Sequence, residues 1–355
     1  MKRKGRVPPP RTDGGTRSRP SGGRGRLAHP PQKLRVAVLY GGRSGEHEIS
    51  VRSARSIMDV LDRDKYEVIP YFIDKEGRWE PRPILPQPGG AAADVVFPVL
   101  HGTFGEDGTV QGLLELAGVA YVGAGVMASS VSMDKDMMKR VFRERGLPVV
   151  EYVTLWSDRM PVETVLKQLS FPVFVKPANL GSSVGISKAR DPDELEAALR
   201  LAAQYDRKVV VERGVAGREF ECSVLGNRDP VASLPCEILP SREFYDYEDK
   251  YLLDQAQFRL PAELPQEKTD ELRRLAVDCY QAVECEGMAR VDFLMEGASG
   301  ELYINEINTI PGFTSISMYP KMWEQSGLPF AALLDRLIAL ALERHEARKA
   351  IRFTR

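Results

Sequence analysis

The chain has 355 residues, 43% of them hydrophobic and 28% charged, an ordinary globular composition that allows two or three lobes with sizeable cores. No apolar run reaches membrane-spanning length. The four cysteines, Cys222, Cys236, Cys279 and Cys285, show no C-x-x-C spacing, which speaks against a disulfide framework and for reduced core thiols in a cytoplasmic protein.

The net charge of −1 conceals an asymmetry: Met1 to Lys33 holds ten Lys/Arg against the single acid Asp13, so the tail carries +9 and the rest −10. Rich in Pro, Gly and Ser and nearly free of apolar residues, residues 1–33 are predicted to stay disordered. They show neither a secretory apolar stretch nor a targeting helix. A basic arm can bind nucleic acid or an anionic membrane, but so little patterning favours a plain extension.

Leu34 to Tyr40 reads as a buried strand, and the Gly-rich turn Gly41 to Glu48 leads into a helix with apolar positions Ile49, Ala54, Ile57, Met58 and Leu61. Such a turn can hold an anion, although its spacing is not G-x-G-x-x-G and gives little support to a dinucleotide site. Glu46 suits an ammonium group, and Glu46 and His47 together suit polar recognition; either could equally cap the helix. Further strands are predicted at Tyr66 to Asp74 and Asp94 to Leu100, the second ending in a Gly-rich loop, His101 to Gly108, before a helix from Thr109 to Ala117. Strand alternating with helix predicts an α/β fold with a mostly parallel, doubly wound sheet, whose ligands gather at the carboxyl ends of the strands. His101 stands there, either as a structural histidine or as a site residue.

Ser132 to Lys135 opens a helix with Met133, Met137, Val141 and Phe142 on its apolar face, closed by Gly146 and Pro148. Lys135 in the first turn opposes the helix dipole, which phosphate binding would explain. The strand Phe171 to Lys176 runs into the donor-rich loop Ala178 to Gly185, containing Ser182 and Ser183, and together they predict a phosphate clamp. After a helix near Pro192 to Gln204, the strand Lys208 to Glu212 leads into Arg213 to Glu219, where a purine could meet backbone groups and a ribose a carboxylate. Residues 239–261 are polar, aromatic and aperiodic, the pattern of a lid. The final helix, Pro329 to Lys349, has an apolar stripe at Leu333, Leu334, Leu337 and Ile338 and a basic end suited to its dipole.

The densest polar pattern lies between Met288 and Thr314. Ala289 to Met295 and Glu301 to Ile307 form a predicted hairpin in which Arg290 and Asp292 share one face of the first strand, and Glu306 and Asn308 one face of the second. A five-residue loop, Gly297 to Glu301, would set Asp292 opposite Glu306, whereas a four-residue loop would put them on opposite faces; the five-residue register is the expectation. Two carboxylates and an amide suit a hard divalent ion that also holds phosphates, namely Mg²⁺. Gly312, just beyond, lets a backbone N–H approach an oxyanion closely.

Together these segments resemble the D-alanine–D-alanine ligases of the ATP-grasp superfamily. The resemblance rests on five segments in family order: G-G-x-S-x-E-H-E-I-S at Gly41 to Ser50, H-G-x-x-G-E-D-G-x-x-Q-G at His101 to Gly112, K-P-A-N-L-G-S-S-V-G at Lys176 to Gly185, Y-D-Y-E-x-K-Y at Tyr245 to Tyr251, and R-V-D-F with N-E-I-N-T-x-P-G-F-T from Arg290 to Thr314. It covers about Leu34 to Leu342 and implies an N-terminal doubly wound α/β domain (34–134) followed by a two-lobed ATP-grasp fold, with a central lobe (135–214) and a C-terminal lobe (215–355) carrying the lid. One departure is Cys236, where the family commonly has Gly; a positive φ there would cost stability.

The resemblance further implies ATP and D-alanine as substrates, an acyl-phosphate intermediate, a role in peptidoglycan precursor synthesis, two Mg²⁺ (or Mn²⁺) ions and a cytoplasmic homodimer without nucleic-acid or membrane partners. It places Lys135, Lys176 and Ser183 on the nucleotide phosphates, Lys250 near the γ-phosphate, and Glu212, Arg213, Val215 and Glu219 around adenine and ribose. Asp292, Glu306 and Asn308 become the metal ligands, and Arg290 and the Gly312 N–H the oxyanion donors. Glu46 holds the first ammonium in a network with Ser182 and Tyr251, His101 lies beside that subsite, and Ser317 holds the second carboxylate. The tyrosine at 251 implies an amine acceptor rather than D-lactate. Another ATP-grasp carboxylate–amine ligase, or a non-catalytic nucleotide-binding regulator, are the alternatives.

Overall fold

The computed structural model describes residues 33–182, 184–239 and 257–352; the basic tail to residue 32, Ser183, and most of the expected lid with Lys250 and Tyr251 lie outside the described residues. Three sheets follow one another along the chain. The first has the order β3-β2-β1-β4-β5, from β1 (Leu34–Gly41), β2 (Tyr66–Ile73), β3 (Trp79–Glu80), β4 (Val95–Pro98) and β5 (Ala120–Tyr121). All its pairings are parallel except β2 with β3. Val36 to Leu39 of β1 are fully buried because both faces of the strand are covered, which is why the sequence there is apolar without alternation. Val36 and Val38 meet Ala54 and Ile57 of α1 (His47–Val60), whereas Ala37 and Leu39 meet Leu114 of α2 (Thr109–Leu116). The chain turns to opposite sides of β1 to make β2 and β4, so the two Gly-rich loops lie side by side at the carboxyl ends of β1 and β4, the usual ligand position in such sheets.

Helices α3 (Val126–Met133) and α4 (Lys135–Glu144) lead to an antiparallel sheet of order β6-β9-β7-β8, made of β6 (Tyr152–Trp156), β7 (Val173–Pro177), β8 (Ser187–Ala189) and β9 (Lys208–Arg213), with α5 (Val162–Leu166) and α6 (Pro192–Ala202). Asp134 caps α4 by accepting from the N–H groups of Asp136 and Met137, at 3.1 and 3.0 Å. Here the expected helix face is displaced: Met137 is exposed, and Met138, Lys139 and Phe142 are the buried positions. The periodicity misled because two lysines, at i and i+4, occupy part of the inward face.

The third sheet is antiparallel, in the order β13-β12-β10-β14-β15 with β11 on β10. Its strands are β10 (Gly217–Gly226), β11 (Val231–Ala232), β12 (Cys236–Leu239), β13 (Gln257–Arg259), β14 (Gly287–Glu296) and β15 (Leu302–Asn308). Helix α7 (Gln266–Ala282) covers one face, burying Leu272, Ala276 and Cys279 against Phe220, Val291 and Phe293. Cys236 needs no left-handed backbone: it is a buried strand residue opposite Glu221, and packs against Met318 and Met322. All four cysteines are free and buried, and burial pushes the Cys222, Cys236 and Cys285 thiols up to about 12.

Asp292 does lie opposite Glu306, and Arg290 opposite Asn308, but not for the expected reason. The turn is short, with Glu296 N–H bonded to Glu301 O at 2.9 Å, and Met295 pairs with Leu302. A β-bulge then places Asn305 as an extra residue between Asp292/Glu306 and Phe293/Ile304, restoring the face that the four-residue turn would have lost.

The last helices are α8 (Met318–Gln325) and α9 (Phe330–Lys349). Leu333, Leu334, Leu337 and Ile338 of α9 are buried in the same cluster as Val36, Val38 and Phe97, so the C-terminal helix returns to cover one face of the first sheet. Its basic end does more than answer the dipole: Arg344 donates to the carbonyls of Tyr121, at 2.8 Å, and Gly123. Among the described residues no single helix is long and apolar enough to cross a membrane; α8 and α9 pass that test only as a pair bent by 105°.

Candidate functional site

Two cavities adjoin where the sheets converge. The smaller, about 140 Å³, is lined by Glu46, His101, Ser182, Arg290, Gly312 and Ser317, together with Glu306 and Asn308. Glu46 precedes α1 but its side chain makes no cap; instead the Ser182 hydroxyl donates to Glu46 Oε1. Ser182 sits at φ +53°, a left-handed conformation uncommon for serine that accompanies this reach across the cavity. His47, by contrast, is structural: its Nδ1–H donates to Gly42 O at 2.6 Å and its ring lies edge-on to Phe72.

His101 lines the small cavity and also braces its wall. Its Nδ1–H donates to Ile310 O at 3.0 Å and Nε2 faces Ser53 Oγ at 3.4 Å, while Ser53 Oγ accepts from Phe313 N–H at 3.2 Å. Burial lowers the imidazole pKa, keeping it neutral. His101, just past β4, and Ser53, in the middle of α1, thus both bond the loop carrying Gly312. A Cβ on Gly312 would lie 2.6 Å from Ser317 Oγ, and that hydroxyl is already bonded to Thr314 N–H and Thr314 Oγ1 at 3.0 and 2.8 Å.

Arg290 projects from β14 into the same cavity, its Nε and Nη2 each 2.7 Å from the two oxygens of Asp292, and Nε also 3.2 Å from Glu221 Oε1. Glu106, which the sequence reading did not single out, accepts from Gly102 N–H at 2.6 Å. Burial, reinforced by the neighbouring Glu46 carboxylate, raises its pKa well above the usual carboxylate range.

The larger cavity, about 490 Å³, takes in Lys135, Lys176, Glu212, Arg213, Val215 and Glu219, and reaches Asp292 and Glu306. Lys135, Gly181, Ser182, Glu221 and Glu306 belong to the walls of both cavities. Lys135 Nζ donates to Leu180 O at 2.7 Å and lies 3.7 Å from Glu306 Oε2. Lys176 Nζ donates to Glu212 Oε2 at 2.7 Å and to Asn305 Oδ1 of the bulge at 3.3 Å. Glu212 is also 3.1 Å from the fully buried Lys139. Burial alone would raise this carboxyl, but the charges of Lys139 and Lys176 outweigh it and hold it at about 2. The Glu212 carboxylate is therefore engaged by two lysines, and Arg213 points its guanidinium to Glu151 and Glu296, at 2.6 and 2.9 Å. Of the groups expected around a purine and ribose, these two side chains are committed to other partners.

The chain matches the family models described as "D-ala D-ala ligase N-terminus", over residues 35–89 and 81–124, and "D-ala D-ala ligase C-terminus", over 141–339. It is 70% identical over 324 residues to a D-alanine–D-alanine ligase from Solibacter usitatus (strain Ellin6076), covering 91% of this chain and all of that one. The chain belongs to the D-alanine–D-alanine ligase family. Among solved structures of this family, the ligase from Coxiella burnetii superposes with a TM-score of 0.80 at 41% identity, over 89% of this chain and 96% of that one. The VanG D-Ala:D-Ser ligase from Enterococcus faecalis gives a TM-score of 0.81 at 35% identity, over 87% and 100%. These structures have the ATP-grasp fold, as does this chain.

Five residues in or against these cavities are not singled out by the sequence: Ser53, Glu106, Lys139, Glu221 and Asn305. Lys139 was accessible, lying one helical turn from Lys135, and Glu221 shares a strand face with Glu219. Glu106 stood inside a quoted motif, but nothing local distinguishes it from Asp107 beside it. Asn305 depended on a bulge. The crowding at Gly312 makes a direct prediction: with Ser317 at the second carboxylate, as the family resemblance implies, Gly312→Ala is expected to push Ser317 Oγ from its Thr314 partners and raise KM for the second amino acid by about tenfold, the cost of a lost hydrogen bond of about 1 kcal/mol or slightly more. Steady-state kinetics with the first substrate saturating measures this, and an unchanged KM would refute the role of Ser317.

Proposed function

We propose that the small cavity binds two D-alanine molecules and the large one ATP, and that the chain joins the two amino acids through an acyl phosphate, in peptidoglycan precursor synthesis. The observation that carries this assignment is the shared wall. A cavity well under the roughly 300–1,000 Å³ of drug-sized pockets abuts a lysine-lined cavity of nucleotide size, so a carboxylate in one can meet a terminal phosphate from the other. ATP-dependent ligation is the activity of the family, and intact Arg290, Lys135 and Lys176 leave the regulator alternative without support.

In this reading Glu46 receives the first ammonium group, with Ser182 orienting it. Lys135 and Lys176 receive phosphates, for which Lys176 must exchange its bond to Glu212; Lys139 stays behind as that carboxylate's counter-charge. Arg290 and the Gly312 N–H meet the oxyanion formed when the second amine attacks. Ser183, Lys250 and Tyr251 complete the scheme by family resemblance alone, as does a hydrogen-bonded lid.

The donor set at β14 and β15 fits Mg²⁺ or Mn²⁺. Asp292, Glu306 and Asn308 offer two carboxylates and an amide on neighbouring strands, oxygen donors that suit a hard ion held partly by substrate phosphates. Such ions, two in this reading, would neutralise the transferring phosphoryl group. The lobe boundaries at 134/135 and 214/215, a cytoplasmic location and a homodimer are proposed with this reading.

The test is phosphate release from ATP with D-alanine, with L-alanine and with neither, followed by the product mass. Release only with D-alanine and a dipeptide mass are expected; in equal mixtures of D-alanine, D-serine and D-lactate, the dialanine product should dominate. Predominant mixed product would overturn the acceptor assignment, and release independent of amino acid the whole reading.

A further inference from the structure

Glu221 lies on β10 directly opposite Asp292 of β14, 4% exposed, in the wall common to both cavities. Its Oε1 is 3.2 Å from Arg290 Nε, the nitrogen that Asp292 Oδ1 holds at 2.7 Å. Arg290 is thus gripped by two carboxylates from neighbouring strands, and Asp292 turns both of its oxygens to the guanidinium. This arrangement creates a conflict if Asp292 is also a ligand of a divalent ion. An oxygen drawn to a dication weakens its bond to the guanidinium, and the two cations repel each other across the shared carboxylate.

We propose that Glu221 is a positioning residue that keeps Arg290 fixed in the cavity when Asp292 turns to the metal. The inference rests on the function proposed above and deepens it. The two carboxylates divide the task by geometry: Asp292 stands opposite Glu306 and can be shared with the ion, while Glu221, one strand further away, stands opposite Asp292 and on the Nε side of the guanidinium. A buried carboxylate at this place is costly unless charge meets it, and Arg290 supplies that charge. With Glu221 neutralised, Asp292 is the carboxylate left within hydrogen-bond distance of Arg290, so ion and guanidinium compete for it.

The experiment compares wild type, Glu221→Gln and Glu221→Asp in two measurements. The first is Mn²⁺ binding, read from the electron paramagnetic resonance signal of the free ion with a non-hydrolysable ATP analogue and no amino acid. The second is kcat and KM for ligation with Mg²⁺. Glu221→Gln is expected to raise the Mn²⁺ midpoint and lower kcat, each by about tenfold to a hundredfold, the usual range for a residue that orients a metal ligand, with KM for ATP nearly unchanged. Glu221→Asp, which keeps the charge, should recover most of both. A glutamine variant within twofold of wild type in midpoint and kcat would overturn the proposal, and so would equal losses in both variants accompanied by a fall in melting temperature, since that marks a packing role. The two levels of inference fail differently: wild type without D-alanine-dependent phosphate release would remove the function, while the Mn²⁺ measurement needs no turnover.

Discussion

Glu212→Gln is expected to destabilise the protein at neutral pH by about 3–5 kcal/mol, the range for breaking a buried ion pair by removing one partner. Glu212 is almost wholly buried between the ammonium groups of Lys139 and Lys176, at 3.1 and 2.7 Å. Glutamine fills the same space and leaves two buried lysines without the carboxylate that touches them both. Lys139 is the group that yields, since burial already lowers its pKa. The pH dependence has a definite sign. The folded-state pKa of Glu212 is depressed from 4.5 to about 2, so its contribution is fully present above the unfolded value and is lost as pH falls from there through the folded one. The gap in denaturation midpoint between wild type and variant should therefore be constant from pH 7 to about 5 and narrow progressively below it. A gap that stayed constant down to pH 3, or that was absent at pH 7, would show that the carboxylate is not charged in the fold.

Arg290→Lys is expected to lower kcat by about 10²–10³, as for removal of an oxyanion donor, with KM for ATP little changed. Lysine keeps the positive charge but cannot reproduce a planar fork that meets both Asp292 oxygens at 2.7 Å and still offers Nε to Glu221. The ammonium would settle on whichever carboxylate it reached, away from the position where negative charge develops. Steady-state phosphate release with D-alanine decides the point; a kcat within threefold of wild type would show that charge alone suffices and that the fork is structural.

Much of this was legible in the residues. The parallel first sheet followed from a strand apolar on both faces and from Gly-rich turns into helices, because those patterns are set by neighbours within a few residues. The pairing of Asp292 with Glu306 was anticipated through the wrong turn length. The error lay in counting loop residues when a bulge at Asn305, whose side chain meets Lys176, restores the face. Bulges answer to packing across the sheet rather than to local propensity, so nothing in the segment announced it.

The sequence by itself determined which chemical groups are present and on which strand or helix each stands: the lysines of α4 and β7, the carboxylates of β14 and β15, the glycines of the loops. Only the tertiary structure decided what each group is doing. Glu212, expected beside a nucleotide, lines the large cavity and is also the buried counter-charge of two lysines; His101, expected beside a subsite, lines the small cavity and also bonds the Gly312 loop; Glu106 looked like any acid of a polar loop and is buried, with its pKa raised. The final helix showed its apolar stripe in the sequence but not that it would cover β1 and β4, more than 200 residues earlier in the chain. The division has one physical cause. Secondary structure responds to side chains three or four positions apart, whereas ionisation, hydrogen-bond partnership and burial depend on what the fold brings to within a few ångströms from anywhere in the chain.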